Sequence, residues 1–223
     1  MSRKSFFVPV CIAAAGLVTV VGSIAIAQPS KDPKPHAPVG GGQPPQMALP
    51  PGWTEADMQA CMMAGMPGKM HEHLAKSVGV WLGKTTMWMG PGMEPMKSEC
   101  TSTVKPMMDG RFTSCEIVGD MPGMGPFNGF GLYGFDNVSK KFVSNWIDNQ
   151  STGIMNGTGE LSSDSKVLTW NFTFNCPITN KPAVMREVET ITGEKTKTLE
   201  MWGTDPKSGK EYKMMTIDQT RQK

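Results

Sequence analysis

From Val78 to the end of the chain, β-branched and aromatic residues alternate with polar ones, the period of a strand that buries one face. Ten such segments are predicted: 78–89, 96–104, 111–119, 127–135, 141–148, 152–161, 166–175, 183–192, 196–203 and 211–220. The breaks between them hold Pro91-Gly92, Asp109-Gly110, Pro122-Gly123, Asp136-Asn137, Ser163-Asp164, Asn180-Lys181-Pro182, Gly193-Glu194 and Asp205-Pro206, all suited to tight turns. Connections this short make neighbouring strands antiparallel. They leave no room for crossover helices, which excludes a parallel sheet.

Successive antiparallel strands can bury one face by curling into an up-and-down β-barrel or by splitting into a β-sandwich. Closure removes the sheet edges that invite pairing with other chains. Gly129, Gly131 and Gly134 let the fourth segment bend. The expected fold is therefore all-β, an antiparallel barrel of about ten strands, with the sandwich as the alternative. Gly79-Val80-Trp81 on the first segment and Arg221 after the last suit a sealed barrel end, the indole plugging the floor and the guanidinium lying on its face.

Upstream the period becomes helical. Thr54-Glu55-Ala56-Asp57 is a helix start, Met58, Cys61, Met62 and Gly65 follow at helical spacing, and Gly65 or Pro67 ends the run. A second helix from about Lys69 to Ser77 puts Met70, Leu74 and Ser77 on one side. Residues 53–77 thus read as a helical cap on a barrel domain of residues 78–223. Residues 28–52 carry eight prolines and four glycines among few apolar side chains, the composition of a disordered arm. Residues 1–27 have a basic start, an apolar run from Phe6 to Ile26, and Ala25-Ile26-Ala27 before Gln28. These are the marks of a signal peptide cleaved near Ala27, so a periplasmic or secreted protein is expected. An N-terminal membrane anchor is the alternative.

Cleavage there removes Arg3 and Lys4 and no acid, which brings the 22 basic residues level with the 20 acidic ones. A balanced charge argues against nucleic acid or an anionic membrane as partner. Cys61, Cys100, Cys115 and Cys176 remain, and three pairings are open to them. A turn at Asp109-Gly110 sets Val104 opposite Cys115, which puts Cys100 about four residues out of register and disfavours a Cys100–Cys115 bridge. No Cys-x-x-Cys occurs, so zinc and thioredoxin-like redox centres have no support.

Several elements together resemble the bacterial domain-of-unknown-function family DUF1579 across about residues 71 to 221. They are His71-x-x-Leu74, Val78-Gly79-x-Trp81-x-Gly83, Gly110-Arg111-Phe112, Pro126-Phe127-x-Gly129 with Gly131, and Gly134-Phe135-Asp136-Asn137. Lys141-Phe142-Val143, Trp146-Ile147-Asp148, Ser151-Thr152-Gly153 and Thr220-Arg221 complete the set. Phe135 stands where the family usually has tyrosine. The resemblance implies the fold and the domain limits and is silent on chemistry. Gly79-Val80-Trp81, Arg221 and the strand count are also similar to calycins, the lipocalin-type and nitrobindin-like barrels. That likeness implies a small apolar ligand. Haem, as in the nitrobindin-like branch, does not carry over, because its ligand there is a late histidine, whereas His36, His71 and His73 all precede the first strand.

Candidate chemistry is thin. Trp88 and Trp146 are rigid, flat surfaces for a ligand wall, and equally good core. Arg111 and Arg186 fall within predicted segments, where an inward cation would meet an anionic ligand head; the ordinary alternative is a solvent-facing arginine. Met62, Met66, Met70 and His71 are thioether and imidazole donors that suit copper, although methionine more often fills gaps or coats adaptable surfaces. Asp148, Ser151 and Thr152, with Asp136 at a neighbouring turn, are the nearest approach to an acid–base group, and residues of this kind also make turns. Signatures for nucleophilic, zinc or nucleotide chemistry are absent. The expected function is a non-enzymatic exported container for a small apolar or amphipathic molecule, needing no cofactor. The alternative is a periplasmic copper-binding protein that uses the Met/His-rich cap. An enzyme within the barrel, or a partner-binding module using exposed methionines, ranks third.

Overall fold

The computed structural model describes residues 49–222. The segment expected to be a signal peptide and most of the proline-rich stretch lie outside the described residues. Helices α1 (Glu55–Ala64) and α2 (Lys69–Ala75) precede ten strands: β1 (Gly79–Met87), β2 (Met96–Met107), β3 (Phe112–Met121), β4 (Gly125–Asp136), β5 (Lys141–Asp148), β6 (Met155–Leu161), β7 (Val167–Cys176), β8 (Lys181–Gly193), β9 (Thr196–Thr204) and β10 (Glu211–Arg221). Each strand pairs antiparallel with its sequence neighbours, and β1 pairs with β10. The sheet is thus a closed barrel, and the sandwich alternative is excluded. Among the described residues no helix is long and apolar enough to cross a membrane.

Strand reversal sorts the connections into two groups. The turns after β2, β4, β6 and β8 gather at the end where the helices enter, and the remaining turns form the opposite end. Helix α1 starts with a reciprocal cap, the Asp57 N–H donating to Thr54 Oγ1 at 3.2 Å and the Thr54 N–H to Asp57 Oδ2 at 2.8 Å. It buries no residue. It is held instead by its last carbonyls: Arg111 Nε donates to Gly65 O at 3.0 Å, and Asn137 Nδ2 to Ala64 O at 3.1 Å and Met66 O at 2.7 Å. Helix α2 does the opposite, sinking His71, His73 and Leu74 into the barrel end.

That end is sealed as the Gly-x-Trp reading anticipates. Trp81 faces inward, is 4% exposed, and donates from Nε1 to Ser77 O at 2.9 Å. Arg221, its register partner on β10, lies with its guanidinium carbon 4.3 Å from the indole centroid. The same guanidinium donates to the carbonyls of Val78 and Lys76. Gly79 is needed for this: its φ is +134°, and a Cβ there would meet Arg221 Nη1 at 3.1 Å.

Inside, large side chains crowd one flank. Phe142, Leu168, Trp170, Phe172, Met185 and Leu74 form a single buried cluster. Phe142 meets Phe135 edge-on at 5.0 Å and Trp170 at 6.1 Å. Inward glycines give these rings their seats, since a Cβ on Gly157 would come within 2.6 Å of Phe172 and one on Gly159 within 2.8 Å of Trp170. The β2–β3 register matches expectation, with Val104 opposite Cys115 and Cys100 opposite Gly119. Cys61, Cys100, Cys115 and Cys176 all carry free thiols.

Truncating the floor should be costly. Trp81→Ala is expected to lower unfolding free energy by roughly 3–5 kcal/mol in urea titrations, as large core truncations do. Arg221→Ala should cost less, and the double variant less than the sum, because the two side chains touch.

Candidate functional site

The barrel encloses a cavity of about 260 Å³ that runs from Leu74 and Ser77 beneath the helices to Met87 and Met121 at the opposite end. Its outer part is coated by methionine. Met87, Met121, Met155, Met185, Met201 and Met215 all line it, with Met215 in register beside both Met87 and Met201. Unbranched thioether side chains make a deformable, apolar mouth. Trp146 lines the same region, its Nε1 donating to Asp148 Oδ2 at 2.9 Å. The ring fits there because Gly129, across the β4–β5 ladder, carries no side chain to collide with it.

Deeper down the wall turns polar. Lys197 Nζ donates to Glu189 Oε2 at 2.9 Å and lies 4.8 Å from the Trp81 ring centroid. Gln219 Nε2 donates to Ser102 Oγ at 3.0 Å, whereas Gln219 Oε1 has no partner among the described residues. Glu187 projects from β8 beside Trp170 and Met201. No hydrogen bond or ion pair among the described residues reaches its carboxyl group. Burial, and next the Glu189 charge, push its pKa up to about 8, with Lys197 acting in the other direction. Around neutral pH Glu187 is mainly an uncharged acid.

The neighbouring groups are likewise held neutral. Burial above all pushes the Tyr133 phenol well above its ordinary range, and the Cys115 thiol up to about 12. Burial raises Cys100 too, partly offset by Thr85, whose Oγ1 donates to its sulfur at 3.7 Å. A protonated thiol is a poor nucleophile, so neither cavity cysteine is poised for covalent chemistry. His73 is shifted down, first by burial and then by Lys76, and stays neutral. Among the described residues, no group of three or more His, Cys, Asp or Glu side chains is arranged to hold a metal ion.

The residues singled out from sequence are placed unevenly. Gly79, Trp81 and Arg221 form the closure, and Trp146 reaches the cavity. Trp88 follows the inward Met87 just past β1 and lies off the cavity lining. Arg111 is not inside a strand: it sits in the β2–β3 turn and caps α1. Arg186 is on β8 but on its outer face, bonded to Glu211 at 3.3 Å and stacked 5.2 Å from the Trp202 ring centroid. The expected inward arginines are thus replaced by Lys197, and the cavity's unpaired charge-bearing group is an acid. Asp136 and Asp148 lie at opposite barrel ends, each capping backbone N–H groups of its own turn, so they form no acid–base pair. Of the proposed copper ligands, Met62 and Met66 are 58% and 56% exposed, while Met70 packs on the aromatic cluster. His71 is buried, and its Nδ1 accepts the Gly68 N–H at 3.0 Å. Glu187, Glu189 and Lys197 escaped sequence reasoning. The available signal was their parity with Met185, Leu199 and Met201 on the same strands.

The family model for the protein family of unknown function DUF1579 matches residues 66–221, from just before α2 to the closing arginine. The chain belongs to DUF1579. The match spans Trp81, Arg221 and the whole cavity of this DUF1579 member. No curated protein is similar to it in sequence. Among the solved structures that share its fold are one from M. tuberculosis and one from Guillardia theta. Rv2717c from M. tuberculosis superposes with a TM-score of 0.51 at 13% identity, covering 71% of this chain and 100% of that one. The S-type phycobiliprotein lyase CPES from Guillardia theta superposes with a TM-score of 0.50 at 8% identity, covering 73% and 97%.

Glu187 links the site to stability with a definite sign. An acid whose pKa rises on folding keeps its proton in the native state where the unfolded chain has lost it. Its contribution is therefore complete below about pH 4.5 and is lost as pH rises to about 8. Glu187→Gln should remove this loss, so the gap between variant and wild type widens with pH by at most about 1.4 kcal/mol per unit. His73 works in the opposite sense below pH 6.5 and is common to both proteins. Urea midpoints measured from pH 4.5 to 8 check the difference.

Proposed function

We propose that this protein is an exported, non-enzymatic container whose barrel takes up a small apolar or amphipathic molecule through its methionine-coated end. The observation that carries this reading is the internal cavity of about 260 Å³, walled mainly by apolar side chains and closed at one end by Trp81, Arg221 and α2. A folded domain rarely keeps such a volume empty, because each unfilled wall forgoes packing contacts. The aromatic and thioether surfaces fit an apolar body, and the few polar groups at the bottom fit one oriented head. The barrel of a phycobiliprotein lyase is built on the same fold, which is compatible with small-molecule handling here.

Export belongs to this reading and rests on the leader-like residues 1–27. The copper alternative draws its accessible donors from Met62 and Met66, the two exposed thioethers of its set.

Native mass spectrometry of protein purified from its own host should show a mass above that of the chain, released on denaturation. Ile117→Trp, which adds an indole to the cavity wall, should fold and lose that excess mass. A wild-type mass equal to the bare chain would remove the support for a container.

A further inference from the structure

We propose that the cavity selects organic cations, binding an aliphatic or aromatic ammonium with its charged head at Glu187 and its apolar body against the aromatic and methionine wall. The inference rests on the container reading and adds the charge of the cargo. Side chains that face the lumen from the strands include three carboxylates, Asp148, Glu187 and Glu189, and one lysine, Lys197. Two of those acids are already committed. Asp148 accepts from Trp146 Nε1 and the Gln150 N–H, and Glu189 from Lys197.

Glu187 is different. It is 6% exposed, lines the cavity, and has no hydrogen-bond or ionic partner among the described residues. A buried carboxyl group in an apolar wall is costly unless something pairs with it. The titratable groups that interact with it electrostatically are Glu189 on its own strand, Lys197 on β9, Tyr133 on β4 and Cys115 on β3, and His73 of α2 interacts in turn with Glu189. Lys197 is held by Glu189 and offsets a Glu187 anion only in part, and the phenol, thiol and imidazole are neutral, so Glu187 has no full counter-charge among these groups. Gln219 Oε1, also without a partner, belongs to a residue only 4% exposed in the same cavity and gives a second acceptor for N–H donors. Trp170, the register neighbour of Glu187, and Tyr133, 5.5 Å from Trp170 between ring centroids, supply the π surface that cations favour.

Uptake is then an exchange in which the ammonium enters, the Glu187 proton leaves to solvent, and an ion pair replaces a neutral acid. The affinity for a permanently protonated amine must therefore climb with pH below the Glu187 pKa of about 8, by about tenfold per unit.

The test is calorimetry on the full mature chain with three matched probes: cyclohexylmethylamine, cyclohexylmethanol and cyclohexanecarboxylate. At pH 8 the amine should bind at least about tenfold more tightly than the alcohol, and the carboxylate most weakly. Between pH 6 and 8 only the amine's affinity should rise, with a proton released per amine bound. Glu187→Gln should bring the amine within about threefold of the alcohol, abolish the pH dependence and leave the alcohol's affinity little changed. Wild-type pH dependence carries the same information if that variant does not fold. Equal binding of amine and alcohol, or tightest binding of the carboxylate, overturns cation selectivity and leaves the container standing. Binding of none of the three overturns both.

Discussion

The pairing of β1 with β10 around Trp81 and Arg221 is the contact on which the rest of the molecule depends. Without it the ten strands are an open, strongly twisted ribbon with two unsatisfied edges, and the inner face has no inside. The indole and the guanidinium do more than fill space there. Trp81 uses its N–H on the Ser77 carbonyl, and Arg221 uses its N–H groups on the carbonyls of Val78 and Lys76. The segment joining α2 to β1 thus has its exposed backbone acceptors met by the two residues that shut the barrel. One small constellation ties helix, first strand and last strand together, and Gly79 is the position that lets them approach.

A buried floor has electrostatic consequences one layer up. Lys197, lying over Trp81 on the lumen side, is buried and is matched to Glu189. The pair is internally neutral, so Lys197 offsets only part of a negative charge on Glu187, which faces an apolar cavity. The structure answers with protonation, the usual outcome when a carboxyl group is buried unpaired. The same burial that seals the barrel therefore also sets the charge state of this unpaired cavity acid.

How far these features could be read in the chain follows from how each strand divides its faces. In β7, Leu168, Trp170, Phe172 and Phe174 alternate against threonine and asparagine, and both the strand and its inward face are plain. In β8 the outward positions include Val184 and Val188, and the inward ones Glu187 and Glu189, so hydropathy points the wrong way. Parity with Met185 hints at the inward face, and the pairing of Glu187 with Trp170 across the ladder, a tertiary fact, fixes it. Arg111 misled for a simpler reason. The β2–β3 connection holds four residues rather than two while keeping the same register, so the arginine falls in the turn, within reach of the α1 carbonyls. The closure was legible because glycine, tryptophan and arginine at those strand positions admit few other arrangements.

The methionines show why a compositional signal can be right in kind and misplaced in space. Their density drew attention to the cap, yet those of α1 and its C-terminal flank include exposed Met62, Met63 and Met66, whereas six from seemingly unrelated strands converge at the open end. Convergence follows from topology: the far ends of β1 and β3 and the near ends of β6 and β8 meet there, as do the outer parts of β9 and β10. Glycines at inward positions of β4 and β6 make room for the bulky rings carried by neighbouring strands. A rigid aromatic wall and a pliable thioether mouth do different jobs. The first is fixed by edge-on ring contacts, and the second is made of unbranched side chains that repack readily.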